Sequence, residues 1–203
     1  MYEILKMKRA YGRNLILVGA LYAVMTFAMR TELLLYMLIW MAGFYAIGGM
    51  ALDEGWNRFV RSLPVSCGQL AGAKFLSTGV MILVGVAYAL VMGGAVCLTT
   101  GGSYAGYCQV VLMVTLLSAL VMAIMLPCAL KWGVEKARNT LLLVFAALFG
   151  SGLLAAKSLD FSAQFAWLDG HFAIVILFVA AATILACLAG LTAMIRVYAS
   201  KED

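Results

Sequence analysis

The stretch Asp53–Leu76, DEGWNRFVRSLPVSCGQLAGAKFL, separates two apolar runs that are each long enough to cross a bilayer. Its first half has apolar residues at i, i+3, i+4 and i+7, a spacing that places them on one face of a short helix. These residues are Trp56, Phe59, Val60 and Leu63. The opposite face is polar and consists of Asn57, Arg58, Arg61 and Ser62. Such a helix is predicted to lie on a membrane surface, with its polar face toward water or a partner protein.

The second half of this stretch predicts a break followed by a new helix. Pro64 ends the first helix, because proline lacks the backbone N–H that a continuing helix needs. Ser66 and Gln69 have the S-x-x-Q spacing of a capping box, in which each side chain bonds to the backbone amide of the other residue. The new helix runs directly into the next apolar run. The stretch therefore predicts a docking element that is connected to a membrane span.

The composition excludes a soluble domain. Of the 203 residues, 66% are hydrophobic and only 11% are charged, and the mean hydropathy is +1.05. A soluble domain has about a quarter of its residues charged. We therefore predict an all-α polytopic membrane protein with a single transmembrane domain over residues 1–203. No small-residue cleavage site follows the first apolar run, so no cleavable signal peptide is expected.

Charged residues divide the chain into six predicted transmembrane helices, since a helix needs about 20 residues to cross the hydrocarbon. The 56 uncharged residues between Lys74 and Lys131 form two spans, because the polar, glycine-rich segment Thr99–Tyr107 interrupts them. The predicted spans cover residues 14–29, 33–52, 75–98, 108–130, 139–156 and 172–195. Residues 1–13 mix aromatic, aliphatic and basic side chains and predict an N-terminal interfacial helix.

The distribution of positive charge predicts the orientation. An even number of spans places both termini on one side, and most basic residues lie there: Lys6, Lys8, Arg9, Arg13, Arg58, Arg61, Lys74, Lys131, Lys136, Arg138, Arg196 and Lys201. Only Arg30 and Lys157 lie on the other side. The positive-inside rule then places both termini and Asp53–Lys74 in the cytoplasm. Orientation and contact with anionic lipid account for the net charge of +5, so no nucleic-acid partner is predicted.

The predicted spans contain no Asp, Glu, Lys or Arg. Ion-coupled carriers place ionisable residues in the membrane despite a cost of about 3 kcal/mol or more, and membrane enzymes need acids, histidines or a Ser/Lys set there. The string GQLAGAKF at Gly68–Phe75 has the wrong glycine spacing for a phosphate-binding loop. We predict no catalytic residue, no metal site and no cofactor on this chain. A transporter with this sequence needs energy from another chain.

Several features allow two interpretations. The stripe of Tyr36, Trp40 and Phe44 with Met37 and Met41 is a possible substrate path, or it packs against neighbouring helices and lipid. Small residues allow close helix contact within or between subunits, namely Gly48-Gly49, Gly93-Gly94, Ala146 with Gly150, and Ala182 with Ala186 and Gly190.

Two further alternatives concern loops. Lys157–His171 is either a short interfacial or re-entrant segment, or an ordinary loop with an aromatic anchor. Cys97 and Cys108 flank one loop and would pair if it faced an oxidising side. The alternative is that all five cysteines are small apolar side chains in or near the spans.

The opening stretch resembles the corresponding segment of the ABC-2 type permease family. The resemblance rests on Asp53-Glu54 after the second span, then Trp56–Phe59 (WNRF), Ser62–Ser66 (SLPVS) and Lys74–Leu76. The basic N-terminus and the six-span layout extend the resemblance to the whole chain. The chain departs from the family pattern at Cys67, where a basic residue is common.

The resemblance implies that residues 54–63 are a coupling helix that docks on a cytoplasmic ABC ATPase. The implied ATPase-coupling residues are Asp53, Glu54, Trp56, Asn57, Arg58, Phe59, Arg61, Ser62, Leu63 and Pro64. It also implies two copies of that ATPase, which hold ATP and Mg, and a second permease subunit in a homo- or heterodimer. The implied location is the bacterial plasma membrane, with both termini cytoplasmic.

The short, loop-poor build is most similar to the permeases of phenol-soluble-modulin exporters. This similarity implies export of amphipathic or hydrophobic peptides. Drugs or lipids are alternative substrates, and a non-transporting membrane scaffold or immunity subunit is the alternative function.

Overall fold

The computed structural model describes residues 17–26, 28, 33–51, 65–133, 135–137, 139–140, 143 and 170–200. Five helices are defined here, namely α1 (Leu17–Thr26), α2 (Leu33–Ala51), α3 (Cys67–Thr100), α4 (Tyr104–Trp132) and α5 (Phe172–Ala199). The described part of the chain contains no strand. An all-helical protein was predicted, and the described residues agree with it.

Three helices, α3, α4 and α5, are long and apolar enough to cross a membrane. Helix α1 and part of α2 are two shorter apolar segments. These five helices fall on the predicted spans one, two, three, four and six. Most of the predicted fifth span, residues 139–156, lies outside the described residues. The same holds for the N-terminal interfacial helix over residues 1–13 and for nearly all of Lys157–His171.

Helices α4 and α5 run in the same direction. The Thr183 hydroxyl of α5 donates to the carbonyl of Leu116 on α4 at 3.2 Å. Seven residues further along both helices, Gly190 contacts the carbonyl of Ala123. Because the contacts advance together, the two helices are parallel.

Helix α2 is also parallel to α4, and α3 is antiparallel to it. Tyr36 of α2 stacks on Tyr107 near the start of α4, and Gly43 further along α2 contacts Met122 further along α4. Helices α3 and α4 form a hairpin with a connection of three residues. Helices α2, α4 and α5 therefore run in one direction along the bundle, and α3 runs in the opposite direction.

The hairpin turn between α3 and α4 forms where the polar, glycine-rich segment predicted a break. Gly101 has φ +72°, a left-handed conformation that suits glycine, and its amide donates to the Cys97 carbonyl at 2.9 Å. Ser103 then caps α4 by accepting a hydrogen bond from the Gly106 amide at 3.4 Å.

The core lies between α2, α3, α4 and α5, where Leu35, Ile39, Met122, Leu126 and Met194 are almost completely buried. The outward face of α5 is different, because its large apolar side chains are mostly exposed; they include Ile174, Leu177, Phe178, Ile184, Leu185 and Leu188. A helix that is apolar on all faces is typical of a membrane span.

Candidate functional site

The capping box predicted at the start of α3 is confirmed. The Ser66 hydroxyl accepts a hydrogen bond from the Gln69 amide at 3.3 Å, and the Gln69 side-chain oxygen accepts one from the Ser66 amide at 3.2 Å. The pair satisfies two backbone donors that a helix start otherwise leaves without partners. The position at which α3 begins is therefore set by these two residues, directly after the SLPVS sequence.

We expect Ser66→Ala to loosen the first turn of α3, because losing a serine cap costs about 1 kcal/mol. Hydrogen–deuterium exchange should become about fivefold faster at the amides of the first turn of α3 only. Ser103→Ala is the matched control, since it removes the corresponding cap of α4 and should leave the start of α3 unchanged. Equal exchange at the first turn of α3 in Ser66→Ala and wild type would show that the capping box does not hold this end.

Helix α3 is longer than a membrane span requires. Its 34 residues correspond to about 51 Å, whereas the hydrocarbon is about 30 Å thick. It begins at Cys67, two turns before the predicted span boundary at residue 75. In these extra turns Ala71 is fully buried, and Cys67 and Leu70 are partly buried and pack against the core. The extension is therefore packed against the bundle, and α3 is one continuous helix from its cap to the turn at Gly101.

Lys74 is buried, which the sequence alone did not predict. The charge pattern placed it at a helix end, but only 4% of its surface is exposed. Because α3 begins at Cys67, Lys74 lies in the same inward-facing row as Ala71 and Thr78. The Ser77 and Thr78 hydroxyls donate to the Lys74 carbonyl at 2.9 and 3.0 Å, so this part of α3 has a polar buried face. No signal in the sequence predicted this burial, because a capping box sets where a helix begins but not which of its faces packs inward.

The predicted ATPase-coupling residues lie outside the described residues, so their role stays a prediction. They are Asp53, Glu54, Trp56, Asn57, Arg58, Phe59, Arg61, Ser62, Leu63 and Pro64. The described chain resumes at Val65, immediately before the cap of α3.

The predicted substrate path on α2 divides into two faces. The Tyr36 ring stacks on the buried ring of Tyr107, with centroids 5.6 Å apart, so it packs inward. Met37 and Met41 face outward and are 50% and 37% exposed, while Trp40 is partly buried. The Phe44 side chain lies outside the described residues. The structure thus brings Tyr36 into the packed interior and leaves the two methionines accessible.

A tyrosine cluster at the other end of the bundle was not predicted. Tyr107 is 3% exposed, and its hydroxyl donates to the Ala89 carbonyl of α3 at 2.7 Å. The Tyr107 ring occupies the space that a side chain at position 93 would need, so this packing requires glycine at position 93. Tyr104 stacks on Tyr107 with centroids 6.1 Å apart. Gly93-Gly94 had been interpreted only as a site of close helix contact, and the sequence did not identify Tyr107 as the residue that approaches it.

Gly190, in the small-residue motif of the last span, makes a close contact with α4. Gly190 lies against the Ala123 carbonyl of α4, where no side chain would fit. Pro127 lies four residues after Ala123 and has no N–H, so it leaves that carbonyl without its usual helical partner. The glycine at position 190 thus allows the α5 backbone to approach the carbonyl that Pro127 leaves without a helical hydrogen bond.

The cysteines are all thiols in this structure. No disulfide joins Cys97 to Cys108; Cys97 is buried and Cys108 partly buried. Within the described ranges, no group of three or more His, Cys, Asp or Glu side chains could hold a metal ion.

Long apolar helices of alternating direction, one of which begins at a cap directly after an SLPVS sequence, indicate a polytopic membrane protein. The chain matches the family described as ABC-2 family transporter protein over residues 3–198. It therefore belongs to the ABC-2 transporter family, and it is the membrane permease component of an ABC transporter, a class that associates with an ABC ATPase. No curated protein and no solved structure matches the chain.

Proposed function

We propose that this chain is the membrane-spanning permease subunit of an ATP-driven exporter that moves amphipathic or hydrophobic peptides out of the bacterial cell. Family membership supports the transporter class. The length and the start of helix α3 carry the proposal further. Ser66 caps the start of this helix, shortly after the predicted coupling helix, and the helix is longer than the bilayer is thick. One continuous helix thus links the predicted ATPase-facing segment to the far end of the bundle.

In the proposed mechanism, two cytoplasmic ATPase subunits bind ATP and Mg and close on each other. Their closure displaces the coupling helix over residues 54–63, and α2 and α3, which flank that segment, move with it. The displacement opens a path between two permease subunits. Because the energy arrives as movement of a helix, this mechanism requires no charged residue at the centre of the bilayer.

The exposed face of α2 supports the proposed substrate class. Met37 and Met41 lie one helical turn apart and both are accessible. Methionine side chains are flexible and polarisable, so they accommodate apolar surfaces of different shapes. A row of such side chains suits the apolar face of an amphipathic peptide. Hydrophobic drugs and lipids have the same apolar character and are the alternative substrates.

The test is stimulation of ATP hydrolysis after reconstitution of the chain with its candidate ATPase in liposomes. We expect an amphipathic helical peptide to stimulate hydrolysis severalfold. A scrambled peptide of the same composition, which lacks a continuous apolar face, should not. Stimulation by drugs or lipids alone would contradict the peptide assignment. Failure of the ATPase to bind the chain would contradict the permease mechanism and favour the scaffold interpretation.

A further inference from the structure

The tyrosine cluster, defined as Tyr36, Tyr104 and Tyr107, lies at the end of the bundle opposite the cap at Ser66. Tyr104 is the first residue of α4, and Tyr36 is in the first turn of α2. The partner of the cluster on α3, Gly93, is two turns before the end of that helix. The cluster thus belongs to the hairpin end of α3 and α4, and the cap at Ser66 belongs to the other end.

Tyr107 contacts both helices that flank the predicted coupling segment. Its hydroxyl bonds to the Ala89 carbonyl of α3 at 2.7 Å, and its ring stacks on Tyr36 of α2 at 5.6 Å with an angle of 25° between the planes. Gly93 makes both contacts possible, because any side chain there would collide with the ring. One residue of α4 therefore bonds to α3 and stacks on α2.

These contacts matter because of how motion would reach α4. The predicted coupling segment is covalently joined to α2 and α3 but not to the cytoplasmic end of α4. In sequence, α4 follows α3 only through the turn at Gly101, at the far end of the hairpin. Movement of α2 and α3 is therefore transferred to α4 through that turn and through the packing between these helices, in which Tyr107 contacts both α2 and α3.

We propose that Tyr107 is a positioning residue that joins α2, α3 and α4 into one unit at the hairpin end, so that movement of α2 and α3 carries α4 with it. This inference rests on the proposed function. It requires the Tyr107 hydroxyl to stay bonded to α3 while the Tyr107 ring stays stacked on α2. Both contacts are present in the structure.

Tyr107→Phe tests the hydroxyl alone, since it keeps the ring and the packing of the ring against Gly93. The amount of transported peptide per ATP hydrolysed should fall about threefold to tenfold, the range that loss of one hydrogen bond produces in an equilibrium, while the hydrolysis rate is retained. A merely structural defect would lower transport and hydrolysis in proportion. Tyr104→Phe is the matched control, because the Tyr104 hydroxyl is 3.4 Å from the Leu90 carbonyl and the side chain is 46% exposed. It should keep the wild-type ratio.

Substitutions of the adjacent residues Gly93 and Gly94 test the role of the Tyr107 ring. Gly93→Ala displaces the Tyr107 ring and should lower the transport ratio at least as much as Tyr107→Phe. Gly94→Ala is the control, because a Cβ there would meet the Tyr104 ring at an ordinary contact distance of 3.4 Å. A wild-type transport ratio in both Tyr107→Phe and Gly93→Ala would overturn the inference.

Hydrogen–deuterium exchange separates failure of this inference from failure of the proposed function. If the wild-type chain moves no peptide, the proposed function is wrong, and exchange then decides the inference. Tyr107→Phe should accelerate exchange in the hairpin-end turns of both α3 and α4, and Tyr104→Phe should not. Unchanged exchange in both helices of Tyr107→Phe would overturn the inference.

Discussion

Reversal of two charges, Arg58→Glu with Arg61→Glu, is expected to abolish ATP-driven export. Both arginines lie on the polar face of the predicted coupling helix, the face that would contact the ATPase. Opposing like charges across an interface costs several kcal/mol, so we expect transport to fall by about a hundredfold. The measurement is ATP-dependent uptake of a labelled amphipathic peptide into inverted vesicles that contain both subunits.

The matched control for this prediction is Arg58→Lys with Arg61→Lys, which keeps both positive charges and should retain most of the transport. The charge reversal leaves most of the cytoplasmic positive charge in place, so the orientation of the chain should not change. Labelling of the N-terminal region from outside the cell checks this point. Undiminished transport in the doubly reversed variant would contradict the assignment of residues 54–63 as the coupling helix.

Gly190→Leu is expected to disrupt the contact between α4 and α5. The Ala123 carbonyl already occupies the space beside Gly190, so an added side chain must force the two helix backbones apart. Overpacking of this kind costs about 1–3 kcal/mol. Purified protein should show a melting temperature lower by several degrees and faster exchange in the facing turns of α4 and α5.

Gly79→Ala is the control for this prediction, because a Cβ at position 79 of α3 would meet nothing within 4 Å. Alanine favours a helix by about 0.8–1 kcal/mol over glycine, so this variant should be as stable as wild type or slightly more stable. If Gly190→Leu melts at the wild-type temperature, α4 and α5 do not pack through this contact.

Local sequence signals predicted the start of α3 and the turn that follows it. Charges and hydropathy indicated the spans on which α2, α3, α4 and α5 lie, since a bilayer demands long uncharged stretches. The capping pair Ser66 and Gln69 predicted the start of α3, because a capping box needs only residues that are three positions apart. The glycine-rich segment around Gly101 predicted the hairpin turn, which also depends only on residues that are close in sequence.

Contacts between distant residues were not predictable from the sequence. The packing of the Tyr107 ring against Gly93 depends on how closely α3 approaches α4, and no spacing within either helix specifies that distance. The burial of Lys74 depends on α3 beginning before the apolar run and packing against the bundle. The start of α3 was therefore predicted from the sequence, whereas the contacts of α3 with the other helices emerged only from the structure.

The central claim is that this permease exports peptides with energy from a separate ATPase, and vectorial transport tests it most directly. The chain and its candidate ATPase should be reconstituted in liposomes with the nucleotide sites facing outward and supplied with a labelled amphipathic peptide. We predict that peptide accumulates inside when ATP and Mg are present, and that it does not with a non-hydrolysable ATP analogue. Equal accumulation with ATP and with the analogue would contradict the account.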